Sequence, residues 1–370
     1  MITCLSIVGT RPEAIKMAPV VKELARHPAR VRSVLCSTGQ HREMLAQALG
    51  LFGLRPALEL DVMRPDQSLA ELTAALCTAL DRAVAEVRPD WILAQGDTTS
   101  VLVASLVAFY RGIPFGHVEA GLRTGDLRHP FPEELNRVVA DRLSACLFAP
   151  TERARRALLA EGCAEERILV TGNTVVDALL EVAALPFDHA GGPLAALPED
   201  AGVVLVTAHR RESFGEPFRE MCLALRDLAT EFAGQGVHFV YPVHLNPNVQ
   251  RPVRALLDGL PNVRLLPPFD YVTLVHVMRR SLLVLTDSGG IQEEAPSLGV
   301  PVLVMRETTE RPEGVEAGVA RVVGTSRARI VAEARALLAD PAARLAMARR
   351  VNPYGDGRAA ARIVGRLLDA

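Results

Sequence analysis

The sequence predicts an α/β protein built as two doubly wound domains, and three observations carry that prediction. At 370 residues the chain exceeds the roughly 250–300 residues at which a single hydrophobic core stops growing. Short apolar runs alternate with amphipathic stretches, the signature of parallel strands joined by helices. After a loop rich in glycine and proline, the same alternation starts again.

The first series opens with the strand-like TCLSIVG near Thr3, followed by an amphipathic stretch from Ala14 to Ala25. Further strands are expected at VRSVLCST from Val31, WILAQ from Trp91, FGHVEA from Phe115 and RILVTG from Arg167, with a helix over Leu135–Leu147. The segment Leu185–Gly202 holds Pro186, Gly191, Gly192, Pro193 and Pro198 and reads as a linker. Beyond it come VVLVTAH from Val203, HFVYPVH from His238, NVRLL from Asn262, LLVLTDS from Leu282 and PVLVM from Pro301. Helical stretches over Ala328–Ala339 and Ala342–Arg349, then a last helix from Arg358, complete the chain. In open α/β sheets ligands gather at the carboxyl ends of strands, so two such sheets predict a ligand cleft between the domains.

Composition narrows the class. The chain is 49% hydrophobic and 23% charged, as for a globular enzyme, with few aromatics. No apolar run approaches the roughly 18 residues of a membrane span, and MITCLSIVG carries no basic leader, so a cytoplasmic protein without membrane contact is expected. A net charge of −2 argues against a nucleic-acid partner. The six cysteines are scattered singly, without metal or disulfide spacing, and read as buried free thiols; no metal site is expected. Only Lys16 and Lys22 among the 41 basic residues are lysine, which singles out Lys16 in the first motif.

The motifs follow the strands. Gly9-Thr10-Arg11-Pro12-Glu13-Ala14-Ile15-Lys16 lies at a strand–helix turn where backbone N–H groups and Arg11 and Lys16 face an anion, though the spacing is neither Walker A nor G-x-G-x-x-G. Asp97 follows the strand at Trp91 and reads equally as a helix N-cap. Glu119 ends the next strand, and Glu133 and Glu134 open a helix, where acidic residues also complement the dipole. Three carboxylates at strand and helix ends, Asp97, Glu119 and Glu133, suggest acid and base chemistry. In the second series His209 is the group best suited to titrate near neutrality, and His244 takes the equivalent place one strand later. Asp287-Ser288-Gly289-Gly290 has the form of a phosphate cradle, with Glu294 one turn on to accept ribose hydroxyls and Arg311 as a further cation.

Taken together, GTRPEAIKMAP, GQHREML, QGDTTS, HVEAGLRTGD, PFPEELNR, TGNTVVDAL, TAHRRESFGEP, YPVHLNPNV, TDSGGIQEEAPSLGVPVLVMR, TTERPEG and NPYGDGRAA closely resemble the bacterial non-hydrolysing UDP-N-acetylglucosamine (UDP-GlcNAc) 2-epimerases. The resemblance runs from Ile2 to the last helix. It implies two Rossmann-like domains facing a cleft in the GT-B arrangement and a homodimer. The first domain would span residues 1–173 and be joined by the final helix, 357–370; the second, UDP-binding domain would span 174–356. It also implies interconversion of UDP-GlcNAc and UDP-N-acetylmannosamine (UDP-ManNAc) without NAD or metal, feeding cell-surface polysaccharide synthesis. Residue by residue, the catalytic groups implied are Asp97, Glu119, Glu133 and His209, and the substrate-binding groups are Arg11, Lys16, Ser288, Gly289, Gly290, Glu294 and Arg311. A second UDP-GlcNAc, bound as activator, would meet Gln40, Arg210 and His244.

The chemistry accounts for such groups. The C2 proton of a linked GlcNAc is not alpha to a carbonyl, so a simple base does not invert that centre. Transient oxidation calls for a nicotinamide site, and no G-x-G-x-x-G fingerprint is present. Elimination of UDP to 2-acetamidoglucal and re-addition remains, and it needs proton-transfer groups on two faces and cations for the diphosphate. A 2-epimerase of a diacetamido uronic acid sugar nucleotide, a GT-B glycosyltransferase and a non-catalytic sugar-nucleotide sensor stay open as alternatives.

Overall fold

The computed structural model describes residues 1–39, 42–188, 192, 194–195, 197–198 and 200–369. The chain forms two compact units: Met1–Ala178 with Gly355–Ala370, and Leu179–Tyr354.

In the first unit the strands are β1 (Ile2–Val8), β2 (Val31–Ser37), β3 (Leu58–Glu59), β4 (Trp91–Gln95), β5 (Phe115–Val118), β6 (Cys146–Ala149) and β7 (Ile168–Val170). They pair in parallel, in the order β3-β2-β1-β4-β5-β6-β7 among the described residues. The helices are α1 (Arg11–Ala25), α2 (Arg42–Leu51), α3 (Leu69–Val87), α4 (Thr99–Arg111), α5 (Glu133–Leu143), α6 (Glu152–Ala160) and α7 (Thr174–Ala183). A parallel sheet covered on both faces has near-continuous apolar strands, and β1 shows it: Leu5 and Ile7 join a core with Leu72, Leu76, Leu80 and Val107, while Cys4 and Val8 are buried too.

The second unit repeats the plan. Its strands are β8 (Gly202–Thr207), β9 (Val237–Pro242), β10 (Val263–Leu266), β11 (Ser281–Thr286), β12 (Val302–Val304) and β13 (Ala320–Val322), in parallel order β10-β9-β8-β11-β12-β13 among the described residues. Its helices are α8 (Glu216–Phe232), α9 (Pro247–Leu257), α10 (Tyr271–Arg280), α11 (Gly289–Ser297), α12 (Pro312–Glu316), α13 (Arg327–Ala339) and α14 (Pro341–Ala348). Val204, Val206 and Tyr241 pack with Phe218, Leu225 and Ile330 on one face; Val203, Leu205 and Val284 pack with Val277, Ile291 and Ala295 on the other.

In each sheet the winding reverses beside the first strand, between β1 and β4 and between β8 and β11. Loops leaving the carboxyl ends there splay apart and leave room for a ligand. The chain ends in α15 (Ala359–Leu368), which packs on α1 in the first unit. The Asp177 carboxylate accepts the N–H groups of Ala359 (3.2 Å) and Ala360 (2.9 Å), capping α15. Ile363, Val364 and Leu367 are buried, each worth roughly 1.5–3 kcal/mol relative to exposure.

Three expectations need correction. The apolar run after Leu143 leaves the helix and forms β6, because Cys146–Ala149 pairs with β5 and β7. The segment from Leu185 is not a linker: Leu194 and Leu197 are buried in the second unit's core, and the division falls inside α7. Asp97 is not the N-cap of α4, a place taken by Thr98.

Candidate active site

The first cluster surrounds the reversal point of the first sheet. Thr10 caps α1, and the Glu13 carboxylate returns to accept the N–H groups of Gly9 (2.6 Å) and Thr10 (3.0 Å). Glu13 also accepts the Thr98 hydroxyl at 2.6 Å, so one buried carboxyl ties the β1 turn to the β4 turn. Burial is the largest influence and pushes the Glu13 carboxyl up to about 7, with the Asp97 charge adding and its hydrogen bonds opposing. Arg11 occupies the first position of α1 and is half-buried.

Asp97 and Glu119 follow the adjacent strands β4 and β5, and each is held by a cation. Arg137 of α5 donates to the Asp97 carboxylate at 2.5 Å, and the Asn136 amide donates to the Asp97 carbonyl at 2.8 Å. Lys16 of α1 donates to Glu119, with both side chains largely buried. Glu119 has φ +67°, the left-handed region that a non-glycine residue rarely adopts, and such strain concentrates at functional sites. Glu133 opens α5 half-buried and makes no hydrogen bond or ion pair among the described residues. Glu134, its neighbour, is buried and structural: it accepts the N–H groups of Thr124 (2.9 Å) and Gly125 (3.0 Å) and lies 3.3 Å from Arg137.

A buried ionic clamp underlies these loops. His117 has Nδ1 2.6 Å from the Asp141 carboxylate and Nε2 2.7 Å from the Gly96 carbonyl. Both partners are acceptors, so the imidazole is doubly protonated. Burial opposes that charge, but Asp141 and the two hydrogen bonds outweigh it and hold the His117 pKa above its ordinary value. Asp141 also takes the Gly121 N–H (3.2 Å) and Arg123 (2.7 Å), so one carboxylate anchors the Glu119 loop while its histidine anchors the Asp97 loop. Gly121, at φ +86°, is required: a Cβ would lie 2.4 Å from the Ala154 carbonyl oxygen.

The second cluster lies at the reversal point of the other sheet. His209 and Arg210 follow β8, and their N–H groups donate to Asp287 Oδ2 at 2.6 and 2.7 Å. The His209 ring stacks on His244, centroids 5.2 Å apart. Burial, then His244 and Arg210, push the His209 pKa down against the opposing pull of Asp287. Ser288 is the N-cap of α11, yet its hydroxyl makes no capping bond, and beyond Gly290 a Cβ would meet nothing within 4 Å. A helix N-terminus left uncapped and open is suited to an anion. Glu294 is buried in α11, and Arg311 pairs with Glu293. The nearly buried Arg306 joins Glu212 (2.7 Å) and Glu310 (3.2 Å), with Glu310 4.0 Å from Arg210. Gln40 lies outside the described residues.

Sequence reasoning did not assign Arg137, His117, Asp141, Asp287 or Arg306. Arg137, His117, Asp287 and Arg306 stand inside the motifs quoted above, but each has a partner tens of residues away. Among the described residues no group of three His, Cys, Asp or Glu side chains is arranged to hold a metal, and no helix is long and apolar enough to cross a membrane.

Fold and clusters together define a two-unit, doubly wound protein of the kind that handles nucleotide sugars. The family profile for UDP-N-acetylglucosamine 2-epimerase matches residues 22–368. The UDP-N-acetylglucosamine 2-epimerase of Escherichia coli K12 is 52% identical over 369 residues, covering 98% of this chain and 97% of that one. Among solved structures, UDP-GlcNAc 2-epimerase from Neisseria meningitidis bound to UDP-GlcNAc superposes with a TM-score of 0.88 at 45% identity, covering 100% of both chains. The Methanocaldococcus jannaschii enzyme in complex with UDP-GlcNAc and UDP gives 0.77 at 30% identity, again over 100% of both. The chain belongs to the UDP-N-acetylglucosamine 2-epimerase family.

Proposed function

We propose that this chain interconverts UDP-GlcNAc and UDP-ManNAc by eliminating and re-adding UDP. The observation that carries the proposal is the pair of adjacent strand ends, each presenting a cation-held carboxylate: Asp97 on Arg137 and Glu119 on Lys16. A base takes the C2 proton as the C1–O bond breaks, its electron pair leaving with the diphosphate and C1=C2 forming. The glucal then accepts a proton on the opposite face of C2, and a UDP oxygen returns to C1. The sequence is redox-neutral, so no nicotinamide is needed.

Asp97, Glu119 and Glu133 serve as the proton-transfer groups. In this reading residues 1–173 with 357–370 carry out the sugar chemistry, and residues 174–356 hold UDP. Ser288, Gly289 and Gly290 meet the diphosphate at the α11 N-terminus, Glu294 the ribose, and Arg11, Lys16 and Arg311 supply cationic charge, with His209 acting at the leaving oxygen. The pairing of Lys16 with Glu119 and of Arg311 with Glu293 means that each cation also fixes a carboxylate. The enzyme works as a cytoplasmic homodimer in cell-surface polysaccharide synthesis. A second UDP-GlcNAc acts as activator through Gln40, Arg210 and His244, a role supported by the stack of His244 on His209.

The test is incubation with UDP-GlcNAc and no added cofactor, followed by NMR of the sugar region. UDP-ManNAc is the expected product. Asp97→Asn should lower turnover by roughly 100-fold or more while UDP still binds; free N-acetylmannosamine as the sole product would instead indicate hydrolysis.

A further inference from the structure

Asp287 closes β11 with its side chain fully buried. One oxygen, Oδ2, accepts the two backbone N–H groups of His209 and Arg210 and so holds the loop after β8. The other, Oδ1, has no hydrogen-bond partner among the described residues and lies 3.6 Å from His209 Nδ1. A buried carboxylate oxygen without a donor is unfavourable, and holding a loop requires one oxygen only. The second oxygen therefore needs its own account, and the His209 imidazole lies beside it.

We propose that Asp287 is a positioning residue for His209: its Oδ1 takes the Nδ1–H of the imidazole and leaves Nε2 as the atom that exchanges a proton with the substrate. A small ring rotation closes 3.6 Å to a hydrogen bond, and catalytic hydrogen bonds are often long before substrate arrives. The nitrogen that carries the proton in a neutral imidazole is set by the partner of the other nitrogen. The charged and titratable groups facing His209 are Arg210 on its own loop, His244 stacked from the segment after β9, and Asp287 from β11. The Tyr241 hydroxyl of β9 is engaged with the Ala208 carbonyl at 2.7 Å. Arg210 and His244 favour the neutral ring, as does burial, which leaves Asp287 to stabilise the imidazolium when it forms.

The role rests on the proposed elimination. With substrate bound, the neutral Nδ1–H ring first takes a solvent proton at Nε2 beside the diphosphate; as the C1–O bond breaks, the imidazolium gives that proton to the departing oxygen and is again the neutral Nδ1–H form, and re-addition returns the proton to Nε2. Asp287 transfers no proton to the substrate.

The test uses the full chain with ¹⁵N-labelled histidine, reading ring nitrogens by long-range ¹H–¹⁵N correlation, with His209 assigned among the nine histidines through His209→Gln. The expected wild-type state is neutral Nδ1–H. Asp287→Asn retains a carbonyl oxygen for the two loop N–H groups but turns an NH₂ toward Nδ1. It should switch His209 to Nε2–H, lower kcat by roughly 100-fold or more and leave KM within about threefold. A wild-type His209 protonated at Nε2, or an Asp287→Asn enzyme with wild-type turnover, overturns the proposal. Should Asp287→Asn fail to fold, the wild-type tautomer alone decides. The tautomer is read without substrate, so loss of the epimerase assignment would show separately, as a wild-type protein that does not turn over UDP-GlcNAc.

Discussion

At the scale of single residues, two of the three carboxylates expected to move protons, Asp97 and Glu119, are each held by a cation that fixes their geometry. Arg137 is largely buried beside Asp97, so Arg137→Leu leaves two carboxylates, Asp97 and Glu134, without their shared cation. Losing such a partner costs about 1–3 kcal/mol, and urea unfolding should show that loss together with a fall in kcat. Glu13 offers a pH test. Its carboxyl is raised to about 7 in the folded state from an ordinary 4.5, so folding favours its protonated form. That contribution is fully present below about 4.5 and is lost as pH rises toward 7. Glu13→Gln should remove this decline, measured as unfolding free energy from pH 4 to 8; an unchanged slope would show that Glu13 does not titrate there.

At the scale of elements, the reversal points of the two sheets do most of the placing. The strands that carry the candidate groups were legible because fully covered parallel strands are written as unbroken apolar runs. The same rule misled at Cys146–Ala149, where CLFA follows an amphipathic helix without a glycine or proline between them and only pairing with β5 and β7 decides its form. The edge strands β3 and β13 span two and three residues, too short to leave a period. The clamp of His117 on Asp141 joins residues 24 apart, and Arg137 reaches Asp97 across 40, distances at which local pattern carries no information. Asp177 gives an element-scale prediction: Asp177→Ala uncaps α15 and should destabilise the first unit by about 0.5–2 kcal/mol, seen as a lower urea midpoint.

At the scale of the whole molecule, the chain crosses twice between its units, once within α7 and once at Tyr354–Gly355. The last segment is held to the first unit by the Asp177 cap and the buried face of α15. The proposed division of labour puts the carboxylates for the sugar in the first unit and the diphosphate cradle with His209 in the second. Gly290→Asp places a carboxylate at the open α11 terminus, where the dipole tolerates it but a diphosphate is repelled. UDP affinity should fall by roughly tenfold or more, equivalent to about 1.4 kcal/mol per decade, with unfolding stability retained; calorimetric titration with UDP measures it.

The central claim, epimerisation through proton loss at C2, is tested most directly by running the wild-type enzyme in D₂O with UDP-GlcNAc and following C2 by NMR. The account predicts one deuterium at C2 of every UDP-ManNAc molecule formed, and loss of that exchange in Asp97→Asn. UDP-ManNAc that keeps its original proton at C2 would contradict it.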